Sequence, residues 1–507
     1  MELAGVAERF HSRTVLITGA TGFIAKLLVE KILRLQPGVK RLYLLVRAAD
    51  QVSANRRVES ESYSKTGLEF WASLPIGLNQ PRRKHDGVAS MLSRGLREVQ
   101  AGGQMGGFGA KRMLVDKGIE VLFYMSYQIM QLPIFQPLRE KYQTHFSSWF
   151  WYKVFPLAGD VSLKNFGMGD ARLAEDIRKE TNIIVHMAAT VNFAERYDTA
   201  LAINTMGVKH MIDFASKCTN LELVLLVSTA YVNLMKQGIM MEKPLQQWRS
   251  YDGRSDLDIS EEMAFKDEKL KELVYNNASE RTIKHTMKKI GAQRAIDTWI
   301  TNYGKGTLKF FPTDVATVID IVPADIVVNA MLCIISYHPQ GTADFIYQIG
   351  SSMSNPIKLG QMSQTTYKYF SQIPFVGAKG DVVKVKQPNF LATMASFYET
   401  MDKHYKMPLQ DMLRRGLSTT EDRHIYNHLK REYDFTVAVA EVYWPFTISK
   451  TRFDDSKMQN LMGMVTERDR ELIPCNIKFI NWDKYFMETH IPGVMDYESR
   501  ELTRARL

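Results

Sequence analysis

The sequence contains few cysteines and no long uninterrupted apolar run. The chain of 507 residues has three cysteines: Cys218, Cys333 and Cys475. None of them falls in a Cys-x-x-Cys or Cys/His spacing, so we expect a reducing intracellular compartment and no metal site. The most apolar stretch, residues 315–337, includes two aspartates and a proline, which are costly in hydrocarbon. These features exclude a disulfide framework and argue against a membrane span.

Targeting and nucleic-acid signals are also lacking. Residues 1–13 have no apolar core and carry Glu2 and Glu8, so we expect neither a secretory signal nor a transit peptide. The net charge of +10 favours anionic partners, such as nucleotide cofactors, coenzyme A phosphates or an acidic membrane surface. No Lys/Arg run is interleaved with aromatic residues, so no nucleic-acid partner is expected.

The sequence does contain a strand that leads directly into a glycine turn. Residues 14–18 (TVLIT) are β-branched and aliphatic, GATG follows at 19–22, and 23–35 has a helical pattern. This is the opening of a dinucleotide-binding βαβ unit. Gly19 permits the sharp turn, and Gly22 lets the backbone approach a pyrophosphate. The N-terminus of the helix then presents free N–H groups to that phosphate.

The residue at the end of the second strand indicates the cofactor. Residues 42–46 (LYLLV) form the next apolar run, and Arg47 follows, where NAD-binding units carry an acidic residue. An arginine at this point pairs with a 2′-phosphate, which predicts NADP. The alternative is that Arg47 is a solvated charge at a strand end.

Strands and helices alternate from here to residue 233. The patterns predict helices over 128–142, 169–179 and 204–217, and strands over 151–157, 182–187 and 221–227. The alternation predicts an α/β fold, a Rossmann-like doubly wound parallel sheet. The last strand, LELVLLV, is almost fully apolar, which predicts that it is covered on both faces.

Three small or acidic residues follow these strands. Asp160 stands where a carboxylate could meet the adenine, or it could cap a turn. Ala188 and Ala189 suit close passage of a cofactor, and ordinary packing is the alternative. The patterns alone leave both choices open.

The proton donor for a carbonyl reduction is missing from its expected place. In short-chain dehydrogenases a Ser or Thr orients the carbonyl, and a Tyr-x-x-x-Lys helix supplies the proton. Ser228 and Thr229 fit the first half of this pattern, but residues 233–312 contain no Tyr-x-x-x-Lys. The one match in the chain, Tyr426 to Lys430, lies far outside the nucleotide-binding unit, and we interpret it as a helix face.

Several segments together resemble the plant branch of the alcohol-forming fatty acyl-CoA reductases. They are VLITGATGFIAKLLVEKILR (15–34), LYLLVRAAD (42–50), AGDVS (158–162), HMAATVNFAERYD (186–198), VSTAYVN (227–233), YGKGTL (303–308), DIVPADIVVNAM (320–331), IYQIGSS (346–352) and FINWDKYFMETHIPGVMDY (479–497).

The resemblance implies NADPH-dependent reduction of a long-chain fatty acyl-CoA to a primary alcohol of the wax type. By the same resemblance, the residues that bind the pyrophosphate are Gly19, Thr21, Gly22, Phe23 and Ile24. Arg47 binds the 2′-phosphate, and Asp160 and Val161 bind the adenine. Thr229 orients the carbonyl, with Ser228 as the second candidate.

The resemblance also implies an organisation and a location. We expect a reductase domain over residues 1–384 and a mainly helical C-terminal domain over 385–507. Separately from the resemblance, the aromatic-rich and partly basic composition of 385–507 leaves a peripheral membrane contact as an alternative role. The expected compartment is the endoplasmic reticulum surface or the cytoplasm, with the plastid as a further option.

Two departures from the family pattern stand out. Residues 62–126 have no counterpart in the family pattern, and the glycine-rich, aperiodic stretch 51–126 predicts a disordered insert. The family's Tyr-x-x-x-Lys helix and its following strand are missing near 294–296. An unspliced insert and a skipped segment would produce this pattern. One alternative to the reductase function is therefore a catalytically dead splice product that still binds NADP. Another alternative is an extended dehydrogenase that acts on another carbonyl substrate.

Overall fold

A computed structural model describes residues 5–47, 130, 132–191, 195–233, 237–244, 258–291, 309–339, 345–376 and 380–496. The expected insert at 51–126 and the expected break at 294–296 lie outside these described residues. The chain divides into two compact units. The first unit comprises Met1–Thr190, Thr199–Ser228 and Met331–Tyr337; the second comprises Val191–Asp198, Thr229–Ala330 and His338–Leu507. The domain boundary expected near residue 384 stays a prediction.

The first unit is built on a parallel sheet of five strands. They are β1 (Thr14–Thr18), β2 (Arg41–Val46), β3 (Val154–Ala158), β4 (Ile183–His186) and β5 (Leu223–Leu226). Their order across the sheet is β3-β2-β1-β4-β5, and every neighbouring pair is parallel. This is the strand order of a doubly wound nucleotide-binding sheet, so the predicted Rossmann-like fold is confirmed.

Helices connect these strands. They are α1 (Val6–Phe10), α2 (Phe23–Leu35), α3 (Gln136–Tyr142), α4 (Phe146–Lys153), α5 (Ala171–Glu180), α6 (Tyr197–Ala200) and α7 (Met206–Ala215), with a π-helical turn over Leu201–Thr205. The bounds of β1 and α2 agree with those expected from the sequence. Helix α2 forms because Leu28, Val29, Ile32 and Leu33 share one face, which is buried.

The core of this unit covers one face of the sheet with side chains from α5 and α7. Leu16, Tyr43 and Ile184 of the strands pack with Ile177 and Phe214 of these helices. All five residues of β1 are buried, as expected for the central strand of a sheet covered on both faces.

Two predicted boundaries around β3 are wrong. Residues 151–153 end a helix, α4, and the strand starts only at Val154. Phe146 and Phe150, four residues apart, are both buried, and their packing overrides the aromatic β-propensity of the segment.

In the expected helix over 128–142, the part that the structure describes has a 3₁₀ turn at Pro133–Phe135 before α3, where proline interrupts regular helical bonding.

The expectation that β5 is covered on both faces is also wrong. The side chains of Val224 and Leu226 are 40% and 45% exposed. In the part of the chain that the structure describes, β5 pairs only with β4, so it is an edge strand. Its sequence has the composition of a strand covered on both faces, whereas the face that carries Val224 and Leu226 is open.

In its described ranges, the second unit is mainly helical, with three short two-stranded sheets. Its strands are β6 (Gly238–Met240), β7 (Phe310–Pro312), β8 (Val318–Ile319), β9 (Ile357–Lys358), β10 (Asn389–Leu391) and β11 (Thr451–Phe453). Its helices are α8 (Ile259–Tyr275), α9 (Glu280–Gly291), α10 (Ala324–Tyr337, whose last seven residues belong to the first unit), α11 (Leu359–Gln372), α12 (Met394–Met401), α13 (Met407–Arg415), α14 (Thr420–Thr447), α15 (Ser456–Gly463), α16 (Glu467–Leu472) and α17 (Trp482–Tyr485).

The C-terminal region is helical, as predicted. Trp482 and Phe486 pack on α11 and α14 residues such as Phe370 and Tyr443. Tyr426 and Lys430 lie on α14, where Lys430 pairs with Asp434 at 2.9 Å, which confirms the interpretation as a helix face. Within the described ranges, none of the helices has both the length and the apolarity needed to cross a bilayer.

The open face of β5 predicts unequal costs for two truncations. Ile184→Ala in β4 removes a fully buried side chain, and we expect it to lower the free energy of unfolding by about 2–5 kcal/mol. Leu226→Ala, in the neighbouring strand, removes a half-exposed side chain and should cost less than about 1 kcal/mol. Urea unfolding followed by circular dichroism measures both. Equal losses would show that Leu226 is covered in solution.

Candidate nucleotide-binding site

The carboxyl ends of the five strands meet at one edge of the sheet. Thr18 at the end of β1 lies opposite Leu45 on one side and His186 on the other. His186 in turn lies opposite Leu226. In open parallel sheets this edge is where ligands bind, so the residues that follow each strand define the candidate site.

The glycine turn begins immediately after Thr18. Gly19 has φ of +70°, a conformation that side chains with a Cβ rarely adopt. A Cβ at Gly19 would lie 2.8 Å from the backbone nitrogen of Ala188, which follows β4. Glycine is therefore required twice, by the backbone angle and by the close approach of the two chain segments.

The start of α2 leaves its amide groups available. The N–H of Gly22 bonds the carbonyl of Gly19 at 2.9 Å, which closes the turn. Gly22 is the N-cap and provides no side-chain cap, and the first turn of α2 carries no acidic residue. Lys26 lies one turn further, and burial lowers its pKa. Free amides, the positive end of the helix dipole and a nearby amine are the features that bind a phosphate group.

Arg47 and Asp160 come together at the ends of β2 and β3. Nε of Arg47 lies 3.7 Å from Oδ2 of Asp160. Oδ1 of Asp160 accepts hydrogen bonds from the backbone N–H of Ser162 at 2.8 Å and from its hydroxyl at 2.7 Å. Asp160 thus does cap a turn, and its second oxygen faces the arginine. Both side chains are only partly buried, so a ligand phosphate can compete for Arg47.

The remaining candidates differ in their surroundings. Val161 is buried in the core, and its carbonyl accepts a hydrogen bond from Nδ1 of His210 at 3.0 Å. Ala188 is partly buried against the same core, and Ala189 is exposed. Of the pyrophosphate candidates, Phe23 is half exposed, while Thr21 and Ile24 are partly buried.

The two candidate catalytic residues are both exposed. Ser228 ends the second segment of the first unit, and Thr229 begins the next segment of the second unit. The hydroxyl of Thr229 accepts a hydrogen bond from the N–H of Tyr231 at 3.2 Å. Tyr231 itself is held by the backbone of Asp320, and burial raises the pKa of its hydroxyl, so it stays protonated.

Two residues of the site went unnoticed in the sequence, Thr18 and His186. Nδ1 of His186 and Oγ1 of Thr18 are hydrogen-bonded at 3.0 Å. The imidazole is 1% exposed, and burial lowers its pKa to about 4, so the ring is neutral. The available signal was a histidine at the end of an apolar strand, two residues before the first of the two alanines (HMAA, 186–189).

This arrangement fits a nicotinamide dinucleotide. At Gly19 the turn passes so close to Ala188 that a Cβ would clash with it. The first turn of α2 has no side-chain cap, so its N–H groups can donate to an anion, and Arg47 adds a positive charge at the end of β2. The fold and the site together define a Rossmann-type reductase that binds a nicotinamide cofactor.

Comparison with known proteins identifies the family. The chain matches a family profile described as "Male sterility protein" over residues 17–72 and 126–289, and a second profile of the same description over 397–501. It is 31% identical to "Fatty acyl-CoA reductase 1" of Arabidopsis thaliana, across 96% of this chain and 97% of that protein. It is 27% identical to "Alcohol-forming fatty acyl-CoA reductase" of Simmondsia chinensis, across 98% and 99%. The chain belongs to the fatty acyl-CoA reductase family.

The same comparisons bear on the two departures in the sequence. The first profile leaves residues 73–125 unmatched. The alignment with the Arabidopsis relative spans 546 positions, more than the 507 residues of the chain, so that relative has residues without a counterpart here.

Among solved structures, the terminal R domain of the myxalamid biosynthetic pathway aligns with a TM-score of 0.46 at 13% identity, over 89% of this chain and 85% of that domain.

The buried imidazole predicts a pH-dependent stability. An unfolded histidine titrates near pH 6.5. Because folding lowers the pKa of His186 to about 4, its contribution is fully present above pH 6.5 and is lost as the pH falls towards 4. The loss reaches about 3 kcal/mol. His186→Asn lacks this titration, so in urea titrations between pH 6.5 and pH 4 the wild type should lose about 3 kcal/mol more unfolding free energy than the variant does.

The control for this measurement is His145→Asn, which changes an exposed histidine of the same unit. Its curve should run parallel to that of the wild type from pH 7 to pH 4. If the His186→Asn curve also runs parallel, the imidazole is not buried as a neutral group.

Proposed function

We propose that this chain binds NADPH at the glycine turn and reduces long-chain fatty acyl-CoA to a primary alcohol. The observation that carries the proposal is the glycine turn itself, in a segment where the family profile matches and at the carboxyl edge of a parallel sheet. The relatives named as fatty acyl-CoA reductases align over nearly their whole length, which supports the substrate class.

Each part of the cofactor has candidate partners in the first unit. Gly19, Gly22 and the amides that follow them would bind the pyrophosphate, with Thr21, Phe23 and Ile24 lining the turn. Arg47 would bind the 2′-phosphate. Asp160 and Val161 would border the adenine, and Ala188 and Ala189 would leave room for the cofactor along its path. When bound, NADPH would supply one hydride for the step from thioester to aldehyde and another for the step from aldehyde to alcohol.

The protein's own contribution to the reaction is orientation of the carbonyl. A hydroxyl that donates to the carbonyl oxygen stabilises the charge that develops there, and we assign this role to Thr229, with Ser228 as the alternative. No proton donor can be assigned by the usual pattern, because no Tyr-x-x-x-Lys occurs between residues 233 and 312. Loss of a general acid lowers a rate by about 10²–10⁴.

The missing donor supports a second candidate function, a cofactor-binding protein without turnover. The aligned relative has residues without a counterpart in this chain, and among the described residues β5 pairs only with β4. The two functions share NADPH binding and differ only in product formation. The peripheral membrane contact and the compartment, whether endoplasmic reticulum surface, cytoplasm or plastid, stay predictions.

Arg47 provides a test of the cofactor. Arg47→Ser removes the charged partner of the 2′-phosphate, and we expect NADPH to bind about 10–100-fold more weakly, because charge-assisted hydrogen bonds are lost. Binding of NADH, which lacks that phosphate, should change less than about twofold. Arg172→Ser, at an exposed arginine on α5, is the matched control. Equal losses for both cofactors would contradict the assignment.

Turnover decides between the two functions. The chain as it stands is incubated with NADPH and a long-chain acyl-CoA, and alcohol and aldehyde are quantified by gas chromatography. We expect slow alcohol formation, about 10²–10⁴ below the rate of a relative that has the acid, and a further loss in Thr229→Ala. No product from a folded protein that binds NADPH would establish the second function.

A further inference from the structure

Three hydrogen bonds converge on the hydroxyl of Thr18, the last residue of β1. Its Oγ1 lies 3.0 Å from Nδ1 of His186 and accepts from the backbone N–H groups of Met187 and Ala188, each at 3.2 Å. All four residues belong to the first unit, and Thr18 and His186 are buried. This cluster, the Thr18 hub, joins the ends of β1 and β4 through side chains as well as through the sheet.

The hydrogen count of the hub assigns the tautomer of His186. A threonine hydroxyl has one proton and two lone pairs. The lone pairs are used by the two amides, so the proton is free to point at Nδ1, which must then be unprotonated. The hydrogen of the neutral ring is therefore on Nε2, and Nε2 has no hydrogen-bond partner among the described residues.

An unpaired buried nitrogen at position 186 destabilises the folded state, whereas an apolar side chain there would not. An unsatisfied buried donor costs about 1–3 kcal/mol, and an apolar side chain at 186 would avoid it. What an apolar residue cannot supply is an acceptor for the Thr18 proton. Without that acceptor, the hydroxyl would have to turn towards another group and release at least one of the two amides.

The two amides belong to the segment that the glycine turn crosses. The position of a Cβ on Gly19 falls within 2.9 Å of backbone atoms of both Met187 and Ala188. A shift of that segment by a few tenths of an ångström therefore moves Gly19 and the start of α2 with it. The hub fixes the distance between the glycine turn and the segment that follows β4.

We propose that His186 and Thr18 are positioning residues of the nucleotide site. Nδ1 of His186 takes the hydroxyl proton of Thr18, which leaves the hydroxyl oxygen to hold the Met187 and Ala188 amides against the glycine turn. Neither side chain needs to touch the cofactor. The link to NADPH rests on the proposed function, whereas the link to the turn does not.

Two matched pairs of variants test the hub. Thr18→Val keeps the shape and removes the hydroxyl, and Thr18→Ser keeps the hydroxyl. His186→Leu removes the acceptor, and His186→Asn can place Oδ1 where Nδ1 lies. Hydrogen–deuterium exchange of the full chain, read by mass spectrometry, should show amides of residues 19–25 and 187–189 exchanging about 10-fold faster in the Val and Leu variants. The Ser and Asn variants should stay within about threefold of the wild type.

NADPH titration by fluorescence supplies the functional readout. We expect the dissociation constant to rise about 10-fold in Thr18→Val and His186→Leu, and to be largely restored in Thr18→Ser and His186→Asn. A merely structural role would lower the unfolding midpoint of all four variants and leave the dissociation constant of the folded protein unchanged. That result, or unchanged exchange in the turn, would overturn the proposal.

The two readouts separate this proposal from the proposed function. Suppose that the wild type does not bind NADPH, but that amide exchange in the turn is faster in the Val and Leu variants. The proposed function then fails, whereas the role of the Thr18 hub in positioning the turn is supported. If NADPH binds equally well to the wild type and to all four variants, the proposed function stands and the hub has no part in it.

Discussion

The close crossing of Gly19 over Ala188 is the contact on which the candidate site depends. Only a residue without a Cβ can hold φ of +70° at that point and lie so near the chain that leaves β4. The crossing aims the start of α2 along the edge of the sheet, where its free amides can meet an anion. Arg47 and Asp160 then lie at the neighbouring strand ends because the register of β2 and β3 brings Val46 and Ala158 together.

Much of this could be predicted from the sequence because local patterns determine it. The strand at 14–18 and the helix at 23–35 follow from an apolar run, two glycines and one buried helix face, and the structure has the same bounds. The place of Arg47 follows from the end of an apolar strand. The family and its class of reaction follow from many short segments, each too common to identify a family alone.

The features that escaped prediction depend on contacts between distant parts of the chain. The helix over Phe146–Lys153 forms because two phenylalanines find a buried environment, which no local propensity reveals. The exposure of Val224 depends on what packs over that face of β5, and the residues of β5 alone predict the opposite. His186 escaped notice because its partner, Thr18, lies 168 positions away in the sequence.

The glycine turn and Arg47 keep the features of a nucleotide site, although residues 233–312 contain no Tyr-x-x-x-Lys. Isothermal titration calorimetry of the unaltered chain with NADPH, and then with NADH, measures whether this site binds its cofactor. We expect saturable binding of NADPH at one site, with an affinity at least about 10-fold above that for NADH, since the 2′-phosphate would add charge-assisted hydrogen bonds to Arg47. A folded chain that binds neither nucleotide would contradict this expectation.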